Sequence, residues 1–118
     1  VVSVDPAVTD ADHYAVVFEN ERVRVLEYRD GPVVRTHRHE HPDSVMYALS
    51  SFRRRLHAPD GTTRDVELRA GTTMWLPGQQ HAGENIGDTE THVLFVELKG
   101  GPAAGAAALG PAGPGAEG

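Results

Sequence analysis

Apolar and polar positions alternate in short runs along most of the chain. Residues 22–28 set Val23 and Val25 against Arg22 and Arg24, the period-two pattern of a half-buried strand. Similar runs occupy residues 15–19, 33–41, 45–49, 52–56, 64–68, 72–76 and 91–98. Turn chemistry separates them: Glu19-Asn20-Glu21, Asp30-Gly31-Pro32, Pro42-Asp43, Pro59-Asp60-Gly61, Ala70-Gly71 and Asn85-Ile86-Gly87-Asp88. No long stretch has helical periodicity. The pattern allows one short helical turn within residues 5–14, capped by Thr9 or Asp10. Many short strands with regular turns predict an all-β sandwich or barrel of six to eight strands in two sheets.

The last strand is apolar on both faces, with Val93 and Phe95 on one and Leu94, Val96 and Leu98 on the other. One face enters the core and the other needs cover, so a homodimer is expected. Residues 100–118 are almost wholly Gly, Pro and Ala. Such a segment buries too little to offset its ordering entropy, so the folded domain is expected over 1–99 with a flexible tail beyond.

The chain has 118 residues, a formal charge of −6 and no cysteine. One domain of this size can bury a core without disulfides. The acidic balance argues against a nucleic-acid surface, and Arg53-Arg54-Arg55 is a short basic run inside a strand. No run approaches the roughly 20 apolar residues of a membrane span. No secretory pattern is present, although the chain starts at Val1, where a trimmed terminus could have removed one. A cytoplasmic location is expected.

Without cysteine, any metal must rest on His, Asp, Glu or water. Seven histidines are present, and His37, His39 and His41 are spaced by two. On one strand, His37 and His39 project to the same side about 7 Å apart. His41 continues the phase only if the strand has not turned at Pro42. A solvated polar strand is the plainer alternative. His81, following Pro77-Gly78, offers a third imidazole from a distant strand. Three neutral ligands on one face leave open positions for substrate or dioxygen.

These two stretches resemble the two cupin motifs. The first reads Gly31, five residues, His37-Arg38-His39, then Asp43; the second reads Gly71, five residues, Pro77-Gly78, two residues, His81, three residues, Asn85. Residues 19–30 and 41–47 are also similar to small bacterial cupins, some labelled β-alanine degradation protein. The resemblance implies a double-stranded β-helix, the jelly-roll barrel, with His37, His39 and His81 as metal ligands and Asp43 as a provisional fourth. It departs from the family in three places. The usual Glu is replaced by Asp43 or, in another alignment, Ser44. Ser50-Ser51 replace the closing Gly, and one residue is missing between Pro77 and Gly78. A three-histidine site without a carboxylate is similar to that of the thiol dioxygenases. His13, His57 and His92 are assigned no ligand role, and His57 is read as solvated.

In such a fold Met46, Tyr47, Trp75, Phe95 and Glu97 lie on strands that line the barrel. The apolar ones are expected to be core. Tyr47 is a candidate to hold a substrate or donate a proton. Glu97 is read as the exposed end of an edge strand. Phe52, Arg54 and Leu56 share a face, so Arg54 is expected to point inward and to need an anion. That anion is either Glu97 or Glu67 or, in a functional role, a substrate carboxylate. The favoured activity is a mononuclear non-haem Fe(II) oxygenase acting on a small molecule. Zn, Mn or Ni in an isomerase, lyase or decarboxylase is the alternative, and a non-catalytic metal-binding module is the third.

Overall fold

The computed structural model describes residues 4–100. All of the predicted tail except Gly100 lies outside the described residues. Among the described residues the first element is a helical turn, α1 (Pro6–Thr9), followed by nine strands. These are β1 (Tyr14–Glu19), β2 (Val23–Asp30), β3 (His39–His41), β4 (Ser44–Ala48) and β5 (Phe52–His57), then β6 (Thr63–Leu68), β7 (Thr73–Leu76), β8 (Gln79–Asn85) and β9 (Thr91–Leu98). The expected count of six to eight strands is therefore exceeded. The cap of α1 is Asp5, which accepts from Ala7 N–H at 2.9 Å, rather than Thr9 or Asp10. Pro6 at the first helical position has no N–H to satisfy, and Asp10 is released for another task.

The strands form two antiparallel sheets, ordered β1-β2-β9-β4-β7 and β3-β8-β5-β6. Neighbouring strands such as β2 and β9 are far apart in sequence, so the sheets are held by crossovers between them, as in a double-stranded β-helix. The core between the sheets is largely aromatic: Tyr14, Tyr28, Phe52 and Phe95, with Leu26, Ala48 and Val93.

Two departures from the alternation pattern matter for the site. The run expected over residues 33–41 is a strand only at His39–His41. Upstream, Val33 has φ of 63°, a sparsely allowed region for a β-branched residue, and Arg35 makes an isolated bridge to Glu84. Second, Gln79–Asn85 is a full strand, as expected for His81, although apolar alternation does not mark it. It lacks apolar alternation because the residues its inner face presents include His81 and Asn85.

Alternation also leaves an apolar row on the outer face of the five-stranded sheet. Phe18 pairs with Val25, Val25 with Val96, Val96 with Val45, and Val45 with Trp75. A bulge at Val17 brings Phe18 into this row. None of the five is buried. Among the described residues no helix is long and apolar enough to cross a membrane.

Candidate metal centre

The β3–β8 register sets His39 directly opposite His81, and the period-two alternation of β3 puts His41 on the same side as His39. Ring centroids lie 4.7 Å apart for His39 and His41, and 5.1 Å apart for each of the other two pairs. One nitrogen from each ring falls within 4.8 Å of the others, close enough to converge on a single ion. All three residues are buried. Phe95 of β9 stacks on His41 at 4.9 Å and fixes its plane.

The outward nitrogens meet oxygen atoms. His39 Nδ1 lies 3.2 Å from Asp10 Oδ2, and His81 Nδ1 lies 2.7 Å from Gln79 Oε1. His41 has Glu97 Oε2 at 3.6 Å from Nδ1 and the Tyr14 hydroxyl at 3.5 Å from Nε2. His39 Nε2 is buried with no hydrogen-bond partner within the protein. An orphaned imidazole nitrogen held in place by a carboxylate on its other side is the arrangement of metal-ligating histidines.

Protonation fits the same reading. Burial, reinforced by His41, pushes His39 down to about 4 against the pull of Asp10. Burial and the two neighbouring rings push His81 down to about 3. Both are neutral near pH 7 with lone pairs free, as a metal requires. Burial opposes the charge on Asp10, but the His37 backbone N–H and the Thr9 hydroxyl outweigh it and hold the carboxyl below its ordinary value. Glu97 is likewise held low because His41 and Arg24 outweigh its burial.

The cluster opens on a cavity of about 470 Å³, within the range of small-molecule sites. Its walls are mainly apolar, with Met46, Phe52, Leu56, Val66, Leu68 and Phe95 among them. Tyr14 also reaches it, and burial raises its phenol well above the ordinary value, so it remains a neutral donor.

The structure brings together two of the expected ligands, His39 and His81, with His41 as the third. His37 precedes β3, its side chain is 81% exposed, and its Nδ1 rests on Asp10 Oδ1 at 3.0 Å. It therefore supports the site from outside, and the motif is read two residues later, as His39-Glu40-His41. Asp43 does not reach the cluster: its carboxylate accepts from Gly78 N–H at 2.7 Å and ties the turn before β8. Ser44 is buried, with its hydroxyl on the Pro42 carbonyl.

Tyr47 is exposed and outside the cavity, because β4 turns Ser44, Met46 and Ala48 inward instead. Arg54 does point inward, but its anion is Asp30 at 2.7 Å, not Glu97, Glu67 or a free carboxylate. Tyr28 and Thr91 complete its contacts. A Cβ at position 83 would lie 2.7 Å from Arg54 Nη2, so Gly83 leaves the space that this guanidinium fills. Glu97 is buried and inward rather than exposed. His57 is half-buried against Glu84 and not solvated.

Sequence reasoning missed Asp10, Tyr14 and Gln79. Asp10 and Tyr14 act across 29 and 27 positions of chain, which no local pattern reveals. Gln79 is two residues from His81, so its support of that ring was within local reach.

A double-stranded β-helix with inward histidines from paired strands defines a class of small β-barrel proteins built around an internal site. Among solved structures, the chain is similar to a cupin domain from Bordetella pertussis Tohama I. The two are 31% identical, with a TM-score of 0.68, over 74% of this chain and 92% of that one. The chain belongs to the cupin superfamily. It also resembles a double-stranded β-helix protein from Klebsiella pneumoniae, at 24% identity and TM-score 0.58 over 72% of this chain and 74% of the other. The polyketide cyclase RemF from Streptomyces resistomycificus shares the fold at 22% identity and TM-score 0.54, over 72% and 63% of the two chains. No family model and no curated protein sequence matches the chain.

Proposed function

We propose that this cupin binds one divalent metal ion through His39, His41 and His81 and acts as an enzyme on a small molecule held in the adjoining cavity. The observation that carries the proposal is the buried, unpartnered His39 Nε2 within a cluster of histidines whose outer nitrogens meet Asp10, Gln79 and Glu97. Three neutral nitrogen donors with open positions suit Fe(II), which would supply dioxygen activation when bound; Zn, Mn or Ni would supply Lewis acidity instead.

The remaining roles belong to the chain itself. Asp10, Gln79 and Glu97 orient the three rings. The apolar walls exclude water around the substrate. Tyr14, held neutral, is placed to donate a hydrogen bond to a substrate oxygen in the cavity. The apolar row from Phe18 to Trp75 supports a homodimer as the working form.

The test is metal analysis of untagged protein, followed by dioxygen consumption with Fe(II)-loaded and Zn-loaded samples. Uptake confined to the Fe(II) form with a small thiol or acid is the expected result. Turnover with Zn and no dioxygen uptake would move the assignment to Lewis-acid chemistry.

A further inference from the structure

The β5–β6 hairpin carries four of the chain's arginines, and alternation sorts them cleanly. On the outer face Arg53 stands opposite Glu67 and Arg55 opposite Asp65, each an ion pair. On the inner face Arg54 stands opposite Val66, and Leu56 opposite Arg64. Arg54 has Asp30. Arg64 lines the cavity and is exposed, yet its side chain makes no ion pair or hydrogen bond among the described residues.

The cavity lining has a matching bias. The chain has 17 acidic residues against 11 Lys and Arg, yet neither Asp nor Glu lines this cavity. The carboxylates nearby, Asp30 and Glu97, are buried and already committed to Arg54 and Arg24. The cavity thus presents apolar walls, neutral donors and one uncompensated guanidinium. By strand and residue spacing, the Arg64 backbone lies about 12 Å from that of His81, two strands across and two residues along. A small molecule can span that distance with help from the arginine side chain.

We infer that Arg64 is a substrate-binding residue and that the substrate is a small, mainly apolar anion, a carboxylate of aliphatic or aryl-alkyl type. Its apolar body lies against Phe52, Leu56 and Val66, and its carboxylate meets the Arg64 guanidinium, whose planar fork suits that group. This inference rests on the cavity being the substrate site, but it does not require the metal. Arg54, although inward, is excluded from the role by its pairing with Asp30.

Isothermal titration calorimetry reports binding in the cavity. The experiment titrates 3-phenylpropanoate and hexanoate, and the primary amide of each, into the full chain. It uses wild type, Arg64→Gln and Arg64→Lys, each metal-free and zinc-loaded. At least one carboxylate is expected to bind about tenfold tighter than its amide in wild type. That preference should fall to near unity in Arg64→Gln, return in part in Arg64→Lys, and appear with or without zinc. Equal binding of acid and amide, no binding of either acid at millimolar concentration, or a preference that survives Arg64→Gln overturns the inference. A preference that needs zinc and survives Arg64→Gln places the anion on the metal, which supports the metal site and removes Arg64. A preference that depends on Arg64 in protein unable to take up zinc keeps Arg64 and removes the metal.

Discussion

His41 Nδ1 lies 3.6 Å from Glu97 Oε2, and neither buried atom has a hydrogen-bond partner within the protein. Glu97 is otherwise held by Arg24, whose Nε donates to Oε1 at 2.8 Å. The last strand therefore supplies the carboxylate that the region after β3 lacks. Its position behind His41 suits orientation of the ring and support of its basicity. Changing Glu97 to Gln should lower metal affinity about 10–100-fold while the barrel stays folded, because Arg24 keeps Asp5. Chelator competition on the variant and wild type, with circular dichroism as the folding control, measures this. Unchanged affinity would leave Glu97 as a partner of Arg24 alone.

Arg54 is predicted to matter for stability. Asp30 is fully buried and receives Arg54, the Tyr28 hydroxyl and Asn85 Nδ2. Removing the guanidinium in Arg54→Met leaves an uncompensated buried charge. A loss of about 3–5 kcal/mol in urea unfolding is expected. The double variant Arg54→Met/Asp30→Asn should recover part of it, since the stranded charge is then gone.

The metal-free protein should lose stability as pH falls. His39 and His81 titrate at about 4 and about 3 in the fold, against 6.5 in the unfolded chain. Between those values the unfolded state binds more protons, so stability is full above about pH 6.5 and declines toward pH 4. Nuclear magnetic resonance of the imidazoles should show both rings neutral at pH 5.5. Bound metal should move the onset of the loss to lower pH, because it binds the neutral rings.

The outer row predicts assembly. Light scattering at micromolar concentration should give a dimer mass, and Val96→Glu, at the centre of the row, should give a monomer. A wild-type monomer would show that the row is covered by something else or left open.

Much of the fold was legible because alternation survives wherever one face is apolar. Strands such as β2, β5, β6 and β9 announce themselves in this way. The site was legible in part for the same reason. β8 carries His81, Gly83 and Asn85 where a core strand would carry Val or Ile, so apolar alternation does not give its bounds. His37, His39 and His41 share a period, but the chain enters β3 only at His39, so the histidine that alternation would include falls outside. Glu97 was within reach: counting by two from Val93 and Phe95 places it inward. Asp10 and Tyr14 were not, because a short helix and a separate sheet bring them to the histidines. The face of Arg64 follows from its pairing with Leu56, which sequence alone leaves unset.

The central claim is that His39, His41 and His81 hold the metal and that His37 does not. Metal stoichiometry by mass spectrometry, on untagged wild type beside His41→Ala and His37→Ala purified in the same way, tests it most directly. The account predicts about one equivalent of metal per chain in wild type and His37→Ala, and a small fraction of that in His41→Ala. Metal retained in His41→Ala but lost in His37→Ala would contradict it.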